Sequence, residues 1–431
     1  MKVVLINTND TGGGAPIACL RLQAALAKNG VEAKVLVHEK SKPIKEIVAV
    51  NGSAIGKRMA FMRFALERLH FWFHERSKEV RFAFSPASTG ISIAKHPLVQ
   101  EADVLHLHWV NFGFLTVEDI GELTRLGKPI VWTLHDMWMF TGGCHYSWDC
   151  THYEQECGNC PYVKKPNPKD LSHTVHLRKQ KAYANSNIVS VTCSEWLAQC
   201  ARKSSLLQNM RVQAIPNPID TELFKPIPQS EARKVLGLPT NKILILFAAM
   251  RIGAPIKGLV YFQQAISLLA QQHPELKDKV ELVVMGMGDP DLTAQMPFTC
   301  HPLGHINDPA KMAQVYSSAT LFVLPSLEDN LPNTVMESLA CGTPVAGFRT
   351  GGVPDLIEHQ HTGYLATRAS AEELAQGIHW LITHPNPESL RANAREKVLR
   401  EYTEAVVAER YIHLYEELLN GGFNRVMGGG R

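Results

Sequence analysis

Leu324-Pro325-Ser326-Leu327-Glu328-Asp329-Asn330-Leu331-Pro332-Asn333-Thr334-Val335-Met336-Glu337-Ser338-Leu339-Ala340-Cys341-Gly342-Thr343-Pro344-Val345 reads as the end of a strand, an acidic loop, a short helix closed by glycine, and the start of another strand. The loop holds Asp329, and the helix holds Glu337 eight positions later. A strand that passes through one short helix into the next strand is the unit of a parallel sheet.

The same rhythm extends in both directions. Strands are expected at 243–248, 280–285, 321–324 and 345–348, separated by helical stretches such as 259–269 and 371–382. Upstream, Ile215-Pro216-Asn217-Pro218 breaks the pattern, because two prolines forbid regular helix. Before that break the strand candidates are 2–7, 33–38, 104–108, 130–134 and 188–192. The expectation is two α/β domains, 1–212 and 213–400. A final helical stretch, 387–419, returns from about residue 401 toward the first domain, and a glycine-rich tail at 427–431 is disordered.

Composition sets bounds on function. The 431 residues are 45% hydrophobic and 20% charged, with a net charge of +3, too mild by itself to imply nucleic acid. Met1-Lys2 runs directly into Val3-Val4-Leu5-Ile6, a buried strand rather than a leader, and no apolar run reaches the ~20 residues that span a bilayer. A cytoplasmic setting is expected.

The candidate chemistry sits at strand ends. Gly12-Gly13-Gly14 follows the first strand and opens a helix, a turn that lets backbone N–H groups approach an anion. Its spacing is not G-x-G-x-x-G, which disfavours a dinucleotide. Arg251 ends the first strand of the second domain and Lys257-Gly258 follows six residues later, a planar fork plus a point charge suited to a diphosphate. Gly286-Met287-Gly288 makes a second glycine turn. Carboxylates at Asp329 and Glu337 can accept hydrogen bonds from sugar hydroxyls, while a helix N-terminus can meet phosphate.

Taken in order, these pieces resemble the retaining GT-B glycosyltransferases of family 4, colanic-acid-type members among them. The matching segments also include Pro216-Asn217-Pro218-Ile219-Asp220, Gly351-Gly352-Val353-Pro354-Asp355 and His361-Thr362-Gly363-Tyr364-Leu365. The resemblance implies two facing Rossmann-like domains with an interdomain cleft, and a nucleotide sugar (UDP- or GDP-hexose) held mainly by the second domain. It implies Arg251 and Lys257 on the diphosphate, Glu337 on the ribose and Asp329 near the donor sugar. Gly13, Gly14, Asn217, Gly286, Asn330 and Leu331 complete the donor-binding set. The family's E-x7-E pattern stands here as Asp329-x7-Glu337, one methylene shorter at its first acid. His135, in Thr133-Leu134-His135-Asp136, is the candidate for contact with the reacting sugar, ahead of His108. No catalytic divalent metal is expected, because Arg251, Lys257 and helix dipoles neutralise the leaving diphosphate. The acceptor would be a glycan or a lipid-linked glycan in polysaccharide assembly. Alternatives are a sugar-nucleotide 2-epimerase and a non-catalytic binding protein of the same fold.

Two features lie outside that pattern. Of nine cysteines, Cys144, Cys150, Cys157 and Cys160 crowd into a loop at 141–161. Four thiolates can close a tetrahedral zinc site, so a structural zinc is placed ahead of free thiols, and an iron–sulfur cluster behind both. Between Lys57 and Phe82, seven Lys or Arg side chains mix with six Phe or Trp. Such a helix suits an anionic membrane surface, here the inner face of the plasma membrane, as well as it suits an ordinary packed helix with a basic edge. Nucleic acid is not expected.

Overall fold

The structure is a computed structural model and describes residues 1–184, 186–288 and 296–421. The tail at 427–431 lies outside the described residues. The chain divides into two compact units, Met1–Asn217 with Val407–Arg431, and Pro218–Val406.

Seven strands build the sheet of the first unit: β1 (Lys2–Asn9), β2 (Glu32–Glu39), β3 (Ile47–Ala49), β4 (Val104–Leu107), β5 (Ile130–Leu134), β6 (Ile188–Thr192) and β7 (Val212–Ala214). All pairs are parallel, in the order β3-β2-β1-β4-β5-β6-β7. Side chains alternate across a strand. Val3 and Leu5 accordingly pack into one layer with Leu22, Leu26 and Tyr411, while Val4 and Ile6 pack into the other with Leu105, Leu107 and Leu123. Burial of both faces explains why β1 reads as an unbroken apolar run.

The second unit holds β8 (Ile243–Arg251), β9 (Val280–Met287), β10 (Cys300–Gly304), β11 (Leu321–Leu324), β12 (Val345–Phe348) and β13 (Gly363–Ala366), again all parallel. Their order is β10-β9-β8-β11-β12-β13, so the strand sequence reverses between β8 and β11. Ligands of open α/β sheets bind beyond the carboxyl ends of the strands at such a point.

Two expectations need correction. The stretch 387–419 is two helices, Pro387–Glu401 and Glu404–Leu419. The break is fixed by Tyr402, whose buried hydroxyl donates to the Asp355 carbonyl at 2.8 Å and whose carbonyl accepts the Ile219 N–H at 2.9 Å. The second helix places Tyr411, Leu414 and Tyr415 in the core around β1. The basic, aromatic segment at 57–82 is likewise not one helix. The helix Ala54–Trp72 ends at Trp72, and only a short 3-10 turn, Lys78–Val80, follows.

Candidate functional site

In the second unit, three loops meet at the β8/β11 reversal. The 3-10 turn Pro255–Lys257 ends on Gly258, which has φ of +69°, and any side chain there would collide with the Pro325 carbonyl. The turn is stitched to the acidic loop where the Leu327 N–H donates to the Ile256 carbonyl at 2.8 Å. On the other flank, Thr350 Oγ1 donates to the Leu327 carbonyl at 2.8 Å, and the Gly352 N–H donates to the Asp329 carbonyl at 3.0 Å. Gly351, at φ +51°, again has no room for a Cβ against Asp329.

This scaffold brings Lys257 Nζ to 2.6 Å from Asp329 Oδ2, an ion pair between two residues 72 positions apart. Arg251 stands exposed at the end of β8. Asn330, Leu331 and Glu337 are buried, and Glu337 Oε2 accepts the Tyr316 hydroxyl at 3.0 Å. Gly286 takes φ of +147° at the end of β9, where a Cβ would strike the Ala249 carbonyl, so β8 and β9 approach closely there.

In the first unit, the turn after β1 takes φ of +80° at Gly12 and +109° at Gly13, and the helix Gly14–Lys28 begins at Gly14. His135 follows β5. Its Nε2 lies 3.0 Å from His108 Nδ1 and its Nδ1 lies 3.6 Å from Cys193 Sγ, while Cys193 Sγ donates to Asn217 Oδ1 at 3.2 Å. The rings of His106, His108 and His135 stack at centroid distances of 4.4 and 5.3 Å. His106 is fixed in turn by Tyr415 Oη at 2.6 Å and Thr133 Oγ1 at 2.7 Å.

Asp136 accepts the Trp109 indole N–H at 2.9 Å and the Trp138 backbone N–H at 2.8 Å, and it pairs with His145 Nδ1 at 2.7 Å. Burial alone would raise its carboxyl. The charge of His145 and these hydrogen bonds outweigh burial and hold it below the usual carboxylate range. A cavity of about 10 Å³ is lined by His108, Trp109, Asn111, His135, Asp136 and Trp138 among others. His108 Nε2 and Asn111 Nδ2 are buried without a hydrogen-bond partner among the described residues. His145, Trp109 and Asn111 were not among the residues expected from sequence. Only the position of His145 inside the cysteine loop could have pointed to it.

Burial lowers the histidine pKa values, to about 3 for His106 and about 4 for His135. Both rings are therefore neutral near pH 7, and His135 acts through hydrogen bonds, not charge. A histidine whose folded pKa is depressed favours folding above its unfolded pKa near 6.5, and that support fades as pH falls toward the folded value. For the fully buried His106, the linkage amounts to about 2 kcal/mol lost at pH 5. Thermal melts should thus show a drop between pH 7 and pH 5 that shrinks in His106→Gln. An equal drop in both proteins would remove His106 as its cause.

The four clustered thiols line one cavity together. Among the described residues, however, no group of three or more His, Cys, Asp or Glu side chains is arranged to hold a metal ion. The expected structural zinc finds no such group at Cys144, Cys150, Cys157 and Cys160. Burial raises Cys144, Cys157 and Cys160, the latter two to about 11 and about 12, so these three are protonated as free thiols.

Comparison with known proteins fits this architecture. Residues 12–223 match the family model described as Glycosyltransferase Family 4, and residues 241–384 match the one described as Glycosyl transferases group 1. A putative colanic acid biosynthesis glycosyl transferase, WcaC of Escherichia coli K12, is 24% identical over 444 aligned residues, covering 97% of this chain and 100% of the relative. The D-inositol 3-phosphate glycosyltransferase of Thermobispora bispora is 26% identical over 224 residues, 48% of this chain, and the match spans about half the length of that relative, 51%. Among solved structures, sucrose-phosphate synthase from Thermosynechococcus elongatus superposes with a TM-score of 0.67 at 18% identity, over 97% of this chain and 99% of that one. Anabaena HepE in complex with UDP-glucose gives 0.62 at 17%, over 97% and 100%. At such identities these two structures speak for the fold alone. With two parallel-sheet Rossmann-like units and two family models that together run through most of both, the chain belongs to the GT-B glycosyltransferases of family 4.

Proposed function

We propose that the protein is a retaining hexosyltransferase that takes a UDP- or GDP-hexose as donor and a glycan or lipid-linked glycan as acceptor in polysaccharide assembly. The observation that carries this reading is the Lys257–Asp329 pair beyond β8 and β11, where an open sheet binds its ligand. Lys257 and Arg251 supply positive charge for a diphosphate, and Asp329 supplies an acceptor for a sugar hydroxyl. Glu337, preset by Tyr316, is assigned to the ribose, with Gly286, Asn330 and Leu331 shaping the pocket. From the first unit, Gly13 and Gly14 contribute backbone donors, Asn217 a polar side chain and His135 the contact to the reacting sugar. In the transfer, the bond from the anomeric carbon to the diphosphate oxygen breaks and the electron pair leaves with the diphosphate. A bond to the acceptor oxygen forms, and the acceptor proton passes to the departing phosphate.

Asp136, the carboxylate that a 2-epimerase would need free, is held by three partners, so that alternative is not favoured. The name of WcaC, a putative colanic acid biosynthesis glycosyl transferase, supports polysaccharide assembly. The experiment is a screen of UDP- and GDP-hexoses for slow donor hydrolysis, read as nucleotide diphosphate release, followed by NMR of the product anomer. Release with at least one α-linked donor and an α product is expected. No release with any donor, or an inverted anomer, would overturn the reading.

We also propose that the enzyme attaches to an anionic membrane surface through the helix Ala54–Trp72. Ile55, Met59, Met62, Leu66, Leu69 and Phe73 recur at steps of three and four residues and are all exposed, Ile55 at 74%. They lie opposite the buried positions Gly56, Ala60, Glu67 and Phe71. The rings of Phe61, Phe64, Phe112 and Phe82 form a separate run at centroid spacings of 6.3, 6.1 and 6.0 Å, reached from another side of the helix. Exposed apolar area of this extent marks an interaction surface.

The charge count from sequence is revised. Arg68 is buried on Glu67 at 2.8 Å, Arg81 pairs with Glu75, and Arg63 Nη2 lies 3.0 Å from His38 Nε2. Lys57, Arg58, Arg76 and Lys78 remain exposed, while Glu67 and Glu75 are withdrawn from the surface. Between residues 57 and 82 the exposed side chains therefore keep four cations against Glu79, a balance that suits an anionic interface.

A further inference from the structure

The pocket beyond β4 holds two polar atoms that the fold leaves open. His108 and Asn111 are 3% and 2% exposed, and among the described residues neither His108 Nε2 nor Asn111 Nδ2 has a hydrogen-bond partner. Burying such atoms unpaired is costly, so the pair calls for a ligand atom. The loop that carries them is braced on all sides. Thr8 Oγ1, near the end of β1, donates to the carbonyls of Trp109 and Asn111, both at 3.0 Å. The Trp109 N–H donates to Asn7 Oδ1 at 3.0 Å, and the Trp132 indole N–H donates to the His108 carbonyl at 2.9 Å. Straight after Asn111 the chain turns through φ of +59° at Phe112 and +81° at Gly113, where a Cβ would stand 2.5 Å from the Phe64 nitrogen.

These atoms select the chemistry that fits. Burial, helped by the neighbouring histidines, holds His108 well below the usual histidine range, so its ring is neutral, with one donor and one acceptor nitrogen. Asn111 Nδ2 can only donate. Were His108 Nε2 the protonated nitrogen, two donors would face a cavity of about 10 Å³, which has room for one oxygen atom. With the proton on Nδ1 instead, the bonds run in one direction. His108 Nδ1 donates to His135 Nε2 at 3.0 Å, and His135 Nδ1 faces Cys193 Sγ at 3.6 Å, which donates to Asn217 Oδ1 at 3.2 Å. His108 Nε2 is then an acceptor beside a donor. A hydroxyl satisfies both, accepting from Asn111 on a lone pair and donating its own proton to Nε2.

The pocket also stands where a substrate arrives. Strand order in the first unit reverses between β1 and β4, and open sheets bind ligands beyond such a point. Trp109, His135 and Asp136, which line the cavity, are half-buried, so it lies near the surface of the unit rather than deep in its core. We propose that Asn111 Nδ2 and His108 Nε2 together hold one sugar hydroxyl in this pocket, a water taking its place in the free enzyme. The hydroxyl belongs to the donor hexose or to the acceptor glycan, and the test separates the two. The proposal rests on the transfer reaction above for the identity of that hydroxyl. It refines the contact given to His135, because the accepting nitrogen is now that of its stacked neighbour.

The first readout needs no substrate. In a high-resolution crystal structure of the full chain, a water oxygen should lie within hydrogen-bond distance of both Asn111 Nδ2 and His108 Nε2. Nitrogen NMR at pH 7 should find His108 protonated on Nδ1 alone. An empty pocket, or a proton on Nε2, would overturn the proposal whichever donor the enzyme takes. The second readout uses monodeoxy analogues of the donor that the hydrolysis screen selects, and monodeoxy p-nitrophenyl hexosides as acceptors. One analogue should lose about 10- to 100-fold in kcat/KM with the wild type, and that loss should disappear in Asn111→Ala. The set that contains this analogue names the source of the hydroxyl. His108→Gln, whose amide reaches as far as Nε2, should keep part of the preference for the intact sugar. His108→Asn, which reaches only as far as Nδ1, should abolish it. Losses that stay additive for every analogue would overturn the proposal. A protein that hydrolyses no donor would count against the transfer reading instead, and the crystal and NMR results would still decide this one.

Discussion

Lys257→Ala is expected to lower kcat/KM for the nucleotide sugar by about 100- to 1,000-fold, the range for removing one preorganised group from a developing charge. The substitution acts twice. It removes the cation assigned to the diphosphate, and it leaves Asp329 without the partner now 2.6 Å away. An unpaired carboxylate beside a diphosphate repels the donor, so binding should suffer along with turnover. This predicts a specific non-additivity. Lys257→Ala with Asp329→Asn should bind donor better than Lys257→Ala alone, because the double variant no longer carries the orphan charge. Calorimetric titration of UDP and GDP into the wild type, both single variants and the double variant supplies the cycle. Wild-type affinity in Lys257→Ala would remove the diphosphate from this site. Additive losses would mean that Lys257 and Asp329 act on separate parts of the donor. Glu337→Gln serves as the contrast, since it keeps the shape of the group facing Tyr316 while removing the charge.

The donor-side reading was open to sequence because its parts are local. β11, the acidic loop, the helix Asn333–Ala340 and β12 follow one another without a break, and their apolar runs and glycine stop carry the pattern directly. Strands buried on both faces, such as β1 and β5, were equally legible. What escaped is contact at a distance. Tyr411 and Tyr415 reach Thr133 and His106 across 278 and 309 residues, and no periodicity reports that. His145 meets Asp136 through an irregular loop, where spacing carries no geometric meaning. Charge misled in a third way. Sequence counts Arg63, Arg68 and Arg81 as free cations, but folding pairs each with a partner inside the first unit. The break at Tyr402 is a tertiary effect too, since its neighbours Asp355 and Ile219 lie far back in the chain.

Those pairings decide how the membrane reading is tested. Replacing Arg63, Arg68 and Arg81 would disturb packing, and any loss of binding would be uninterpretable. The variant Lys57→Gln/Arg58→Gln/Arg76→Gln/Lys78→Gln alters exposed side chains alone. Each cation near an anionic surface contributes about 1 kcal/mol, so the four together are worth on the order of 100- to 1,000-fold in vesicle affinity at low salt. Raising the salt should erase most of that difference, since screening acts on exposed charges. A second variant, Leu66→Gln/Leu69→Gln, removes apolar contact and should weaken binding by a factor that salt leaves unchanged. Donor hydrolysis should persist in both, as none of these residues belongs to the donor set. Co-sedimentation with phosphatidylglycerol and phosphatidylcholine vesicles at two salt concentrations reads all of this. Equal recovery on the two lipids, or none on either, would reject the membrane. If sedimentation instead shows a dimer that Leu66→Gln/Leu69→Gln dissolves, the exposed stripe is an interface between copies of the chain, and its cations are there for solubility rather than for lipid.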